Sequence, residues 1–211
     1  MILLCCEIRF AEMISNSTKA SISPFEKFES WYEQAHSAEL EANAMTISTV
    51  DQSMRPYSRI VLLKNFNNRE FVFYTNLESK KGRQIQENPA VCLCFHWKSI
   101  KKQIRIQGIA DVVDDSVADE YFATRDRSSQ IGAWASAQSR NLNSRESLEK
   151  SIKLLEKKFT NKSIPRPYYW SGFRVSPSNF EFWEEMPHRL HIRIFYQRDD
   201  QGNWNDKLLF P

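Results

Sequence analysis

The 211-residue sequence has little that would tie it to a metal, a disulfide framework, a membrane or a nucleic acid. Its four cysteines, Cys5, Cys6, Cys92 and Cys94, form no C-x-x-C pair and accompany no histidine cluster at metal-ligand spacing. That pattern excludes a zinc motif and a disulfide scaffold, and a reducing cytoplasm is the expected compartment. No apolar stretch approaches the ~18 residues of a membrane span. The opening MILLCC is six residues long, lacks a basic flank and runs into Glu7 and Arg9, which is too short for a signal-peptide core. Charge of one sign is also missing: 29 Lys+Arg against 26 Asp+Glu leaves +3, spread along the chain, so nothing demands a nucleic-acid partner. There is no internal repeat, no low-complexity stretch and no dividing linker. A soluble single domain is expected, and a chain of this length buries roughly 70% of its unfolded surface on folding.

The patterns that are present alternate between two periods. SPFEKFESWYEQAH opens with Ser23 as helix N-cap, Pro24 at the first helical position and Glu26 three residues after the cap, and then repeats apolar residues at helical spacing. From Ala44 the period becomes that of strands: AMTISTV, YSRIVLLKNF and FVFYTN, joined by polar turns. SKKGRQIQENP reads as a short helix ended by Pro89, and AVCLCFHW and KQIRIQGIADVV as two further strands. Ser116 to Ser136 is expected to be helical, and Asn143, with Glu146 three residues on, to cap a structural helix reaching Phe159. FRVSPSNFEFWEE, RLHIRIFYQ and WNDKLLFP return to strands, with DDQGN as a hairpin turn. Mostly antiparallel strands with helices between them give an α+β domain built on a β-barrel. Trp31, Trp97 and Trp204 read as core or interface aromatics, His36, His96 and His188 as surface residues, and Cys92 and Cys94 as packed thiols on one strand face.

Four runs could carry chemistry. SRIVLLK sets Arg59 and Lys64 at an odd separation, so a regular strand sends them to opposite faces unless it bends. SKKGR places Lys80, Lys81 and Arg83 at a helix start, where free backbone N–H groups favour an anion but the helix dipole disfavours a lysine. In YFATRDRSSQIGAWASAQS, Tyr121, Arg125 and Ser129 recur every fourth residue, stacking a phenol, a guanidinium and a hydroxyl along one side of a helix or its extension. RLHIRIFY, read as a strand, puts Arg189, His191 and Arg193 on one face and Leu190, Ile192 and Ile194 on the other. Taken singly, SRIVLLK and SKKGR read more readily as solvated surface charge, and the Tyr121, Arg125 and Ser129 run reads equally well as a polar helix surface.

Together, RIVLLK, FYTN followed by SKK, SQIGAWAS with AQS, and FEFWEE followed by RLH closely resemble the pyridoxine (pyridoxamine) 5′-phosphate oxidase family, in order and spacing, from about Phe25 to Pro211. The resemblance implies an FMN-binding split barrel working as a homodimer, with flavin at the subunit interface. It assigns FMN contacts to Arg59, Ile60, Val61, Leu62, Leu63, Lys64, Tyr74, Thr75, Lys80, Lys81, Gln103, Gln138, Ser139, Trp183 and Arg193. Substrate contacts fall to Lys64, Tyr121, Arg125, Ser129, Arg189 and His191, of which Arg189 and His191 are the expected catalytic pair and the other four the phosphate anchors. The implied reaction oxidises pyridoxamine and pyridoxine 5′-phosphates with O2 to pyridoxal 5′-phosphate and hydrogen peroxide, without a metal.

Several positions depart from the family pattern. Ile192 stands where Asp is usual, Lys80 where Arg is usual, DQSMRP lacks a glycine and the chain ends LLFP. Residues 1–22 form a variable N-terminal segment ahead of the domain at 23–211, with no clear counterpart of the family's substrate-covering Arg and Tyr. Two other readings remain open: a flavin- or pyridoxal-phosphate-binding module without turnover, and a split-barrel reductase with another substrate. The complete substrate set is what separates the oxidase from both.

Overall fold

The computed structural model describes residues 22–211. MILLCC, Cys5, Cys6 and the expected N-terminal segment, apart from Ile22, lie outside the described residues.

Helix α1, Pro24–His36, begins as its sequence dictates: Ser23 and Glu26 form a reciprocal capping box, a device worth about 1 kcal/mol. Strands β1 (Ala44–Val50), β2 (Pro56–Leu62), β3 (Asn65–Phe66) and β4 (Phe71–Asn76) follow. Helix α2 (Lys80–Glu87) leads to β5 (Ala90–Trp97) and β6 (Lys102–Val112). Helices α3 (Asp115–Ala123), α4 (Arg127–Ala135) and α5 (Arg145–Lys158) precede β7 (Trp170–Glu184), a 3₁₀ turn at Pro187–Arg189, β8 (Ile192–Arg198) and β9 (Trp204–Leu209). The strands pair antiparallel in the order β2-β1-β5-β6-β7-β4-β3, with β8 on β7 and β9 on β8.

The 15-residue β7 organises the sheet by changing partners along its length. Trp170–Val175 pairs with β4 and Asn179–Glu184 with β8, while β6 follows the strand from Phe173 to Glu184. The sheet therefore splits around one shared strand and curls, and the Lys64 N–H donating to the Val72 carbonyl at 2.9 Å ties the end of β2 back to β4. This is the expected split barrel of α+β class. Its core is aromatic: Phe28 of α1 meets Phe66, Phe71 and Phe95 with ring centroids 5.0, 4.8 and 5.2 Å away. Edge-to-face contacts of this kind add about 0.5–1.5 kcal/mol each beyond area burial. Trp31 and Trp97 are buried in this core and Trp204 packs against it, whereas His36, His96 and His188 are exposed. Cys92 and Cys94 are half-buried free thiols pushed up in pKa by burial. Among the described residues no helix is long and apolar enough to cross a membrane.

Three expectations are corrected. The helix over Ser116–Ser136 is two helices, because the Thr124 hydroxyl bonds back to the Tyr121 carbonyl and the Gln130 side chain occupies the Phe122 carbonyl, ending α3. Helix α5 is capped by Ser144, whose hydroxyl accepts from the Ser147 N–H at 3.1 Å, and not by Asn143; Glu146 pairs instead with Lys150. The strand read from Arg189 begins only at Ile192. Pro187 starts a tight turn there, and His188 and Arg189 take left-handed φ of 58° and 62°, so Arg189 is off the strand.

Candidate active site

A cleft of about 720 Å³ opens where the end of β2, strand β4, the start of α2, the α3–α4 break and the start of β7 meet. That volume suits a cofactor-sized ligand. Eleven of the sequence-assigned residues line it: Ile60, Val61, Leu62, Lys64, Tyr74, Thr75, Lys81, Tyr121, Arg125, Ser129 and Gln138. Lys64 reaches the cleft because β2 stops at Leu62 and the chain bends before β3, which resolves the odd spacing from Arg59. Tyr121, Arg125 and Ser129 converge despite the interrupted helix, since the break keeps all three on the cleft side.

Lys81 is the most confined cation. Its Nζ donates to Thr75 Oγ1 at 2.8 Å, Gln138 Oε1 at 3.0 Å and Ser79 Oγ at 3.3 Å, three neutral acceptors. Burial, reinforced by nearby Arg59, lowers its pKa to about 8. Arg59 itself is not in the cleft wall. Its guanidinium donates to Thr49 Oγ1 at 2.6 Å and to Gln84 Oε1 at 3.2 Å behind α2, and burial lowers its pKa. Among the described residues, the buried Nη1 of Arg125 has no hydrogen-bond partner. None of Lys64, Lys81 and Arg125 forms a salt bridge among the described residues, although Asp126 also lines the cleft. Three cations without a carboxylate on them make a site for an anion.

The other assigned residues lie elsewhere. Leu63 is in the hydrophobic core, Lys80 is exposed with its Nζ 3.7 Å from the Tyr57 ring, and Ser139 is an exposed turn residue at φ 69°. Gln103, Trp183 and Arg193 form one row across β6, β7 and β8, and the His191 ring lies 4.6 Å from Trp183. His191 Nδ1 accepts from the Met186 N–H at 3.2 Å, which leaves Nε2 as the outward nitrogen. Arg193 is clamped: Nε and Nη2 donate to Glu181 Oε1 at 2.9 and 2.8 Å, and Nη1 to the Phe210 carbonyl at 2.8 Å. Glu181, buried between Phe180 and Phe182, also holds Arg105. Trp170 and Trp183 sit near opposite ends of β7, whose 15 residues span a contour of roughly 50 Å at about 3.3 Å each. Within one chain, the row around Trp183 is therefore far from the cleft.

Sequence reasoning missed Trp170, Asn76 and the α3–α4 residues Thr124 and Asp126 in the cleft wall, and Glu181 behind Arg193. Glu181 had a signal, a lone carboxylate between two phenylalanines in a strand.

Residues 32–159 match a model described as pyridoxamine 5′-phosphate oxidase, and residues 170–211 one described as the pyridoxine 5′-phosphate oxidase C-terminal dimerisation region. The chain belongs to the pyridoxamine 5′-phosphate oxidase family. A pyridoxine/pyridoxamine 5′-phosphate oxidase of Mesorhizobium japonicum is 44% identical over 201 residues, covering 95% of this chain and 98% of the relative. One from Caulobacter vibrioides is 49% identical over 189 residues, covering 89% and 85%. Among solved structures, PhzG from Burkholderia lata in complex with tetrahydrophenazine-1-carboxylic acid superposes with a TM-score of 0.85 at 28% identity, covering 92% of this chain and 95% of that one. A pyridoxamine 5′-phosphate oxidase-related, FMN-binding protein from Nostoc punctiforme shares the fold, with a TM-score of 0.73 at 19% identity over 91% of this chain and all of that one.

Proposed function

We propose that the protein is an FMN-dependent oxidase of pyridoxamine 5′-phosphate and pyridoxine 5′-phosphate, forming pyridoxal 5′-phosphate with O2 as electron acceptor and hydrogen peroxide as product. The observation that carries this reading is the set of cleft cations that no carboxylate bridges among the described residues, with the buried Arg125 Nη1, unpartnered among those residues, in the set. Family relatives of near-equal length named for this activity support it.

The residues present fit the cofactor. Lys81, Thr75 and Gln138 offer an ammonium, a hydroxyl and an amide in one cluster, a donor set suited to a phosphate, with Arg59 backing it and Ile60, Val61, Leu62 and Tyr74 supplying wall. Bound FMN supplies a hydride acceptor that O2 reoxidises. Lys64, Tyr121, Arg125 and Ser129 anchor the substrate phosphate, so the free energy of a charge-assisted contact orients C4′ for transfer. The substrate loses a hydride and a proton. The alcohol becomes the aldehyde directly, and the amine becomes an imine that water hydrolyses to the aldehyde and ammonia.

Arg189 and His191 orient the pyridine ring in this reading, and Gln103, Trp183 and Arg193 face the flavin. Their separation from the cleft along β7 makes a second copy of the chain their source, in line with the dimerisation-region match over residues 170–211. Lys80 and Ser139 adjoin the cleft residues Lys81 and Gln138 in sequence. A cytoplasmic setting belongs to the same proposal.

The test is to purify the protein with FMN, record the flavin spectrum and follow product from pyridoxamine 5′-phosphate in air. One peroxide per pyridoxal 5′-phosphate is the expected result. Bound flavin without product would establish the binding-module reading instead.

A further inference from the structure

Trp170 opens β7, buried at 6% exposure, and lines the cleft beside Tyr74 and Tyr121. Its plane is nearly parallel to those of Tyr74 and Tyr121, at 7° to each, with centroids 5.4 and 6.2 Å away, and the two tyrosines stack on each other at 3.9 Å. The Arg125 guanidinium carbon sits 4.6 Å from the Trp170 ring centroid, and the Phe122 ring meets Trp170 edge-on at 5.0 Å.

Two arginines of this region show what that contact achieves. Arg166 is held by carboxylates: Nη2 donates to Asp115 at 2.7 Å and Nε to Asp119 at 2.6 Å, so its charge is committed. Arg125 is held by ring faces, and among the described residues it forms no salt bridge and its Nη1 has no partner. Stacking fixes the plane of a guanidinium while leaving its in-plane N–H groups and its charge available to a phosphate, which a carboxylate partner would not. Arg166 in turn donates from Nη1 to the Trp170 carbonyl at 2.8 Å, so its bonds to Asp115 and Asp119 fix α3, and with it Tyr121, against the start of β7.

We infer that Trp170 is a positioning residue of the substrate-phosphate subsite, presenting Arg125 and Tyr121 to the anion without neutralising them, and that Arg166 locks the frame in which it does so. This rests on the oxidase reading for its substrate. Its test reads binding as well as turnover: equilibrium dialysis of pyridoxal 5′-phosphate, the product, against the FMN-loaded protein, beside steady-state kinetics with pyridoxamine 5′-phosphate. Trp170→Leu is expected to weaken product binding and raise KM by about tenfold or more, with kcat at saturating FMN within about threefold of the parent. Trp170→Phe, which restores a ring face, is expected to bind within about threefold of the parent. Arg166→Gln gives a reading independent of whether Trp170→Leu folds, with a rise in KM of about threefold or more at unchanged kcat. Unchanged product binding in Trp170→Leu, equal losses in the Leu and Phe variants, or an unmoved KM in Arg166→Gln would overturn the inference. A parent protein that binds product but forms none removes the oxidase reading, while the dialysis still decides the role of Trp170.

Discussion

Lys81 Nζ meets three oxygen acceptors, from Thr75, Ser79 and Gln138, and none of them is charged. Burial with Arg59 nearby brings its pKa down to about 8, so in the free protein the ammonium is destabilised and an incoming phosphate would restore it. The sign follows from that. Binding a phosphate dianion requires protonated Lys81, so from about pH 7, where the phosphate is already mostly dianionic, FMN affinity holds up to about pH 8 and falls above it, by at most about tenfold per pH unit for one proton. Titration of apoprotein with FMN at pH 7 and pH 9, read by quenching of flavin fluorescence, should show that fall, and Lys81→Met should bind more weakly at pH 7 and lose the pH dependence. Equal affinity at both pH values would remove Lys81 from the phosphate contact. At this scale the sequence made the charged residues visible because arginines and lysines in apolar surroundings are costly without a purpose. It concealed Trp170, since a tryptophan at the start of a strand has an ordinary explanation until its neighbours are known, whereas Glu181 was marked only by its place between Phe180 and Phe182.

Helix α2 delivers Lys81 because Gly82 lets it press against the turn after β4. A Cβ on Gly82 would lie 2.2 Å from the Leu77 carbonyl oxygen and 2.7 Å from that of Asn76, both backbone atoms that cannot swing aside. Gly82→Ala should therefore cost about 1–3 kcal/mol of stability, read by denaturant titration, and lower FMN affinity by displacing Lys81. A wild-type midpoint and affinity would show that the turn yields freely. Elements themselves were largely legible: β4, β5, β6 and the capped α1 stand where their periods put them, because alternation and caps are local. What failed was also local but depended on partners. Arg189 sits in a left-handed turn set by Pro187, and the break between α3 and α4 is completed by Gln130 from the following helix. A period-two pattern across RLHIRIFY holds from Ile192 onward, where Arg193 faces Glu181 and Ile194 faces the core, and says nothing of the turn ahead of it.

The whole molecule presents two groups of assigned residues that one chain does not bring together. The cleft at the start of β7 is lined by Lys64, Tyr121, Arg125 and Ser129; the far end of β7 carries Trp183, and beside it His191 and the Arg193 held by Glu181 and the Phe210 carbonyl. The match of residues 170–211 to a dimerisation region places that far end in the part of the chain associated with pairing. In a two-fold dimer each site would take its cleft from one copy and its Arg189, His191 and Arg193 from the other. Sequence motifs named both groups but not their separation along β7, because register along a strand carries no information on a second copy. The most direct measurement is the activity of a heterodimer. Arg125→Ala and Arg189→Ala chains, each inactive as a homodimer, would be co-expressed with different tags and the doubly tagged species isolated. A site shared between copies leaves one intact site per heterodimer and about half of the parent activity with pyridoxamine 5′-phosphate. A heterodimer no more active than its two parents would contradict the account.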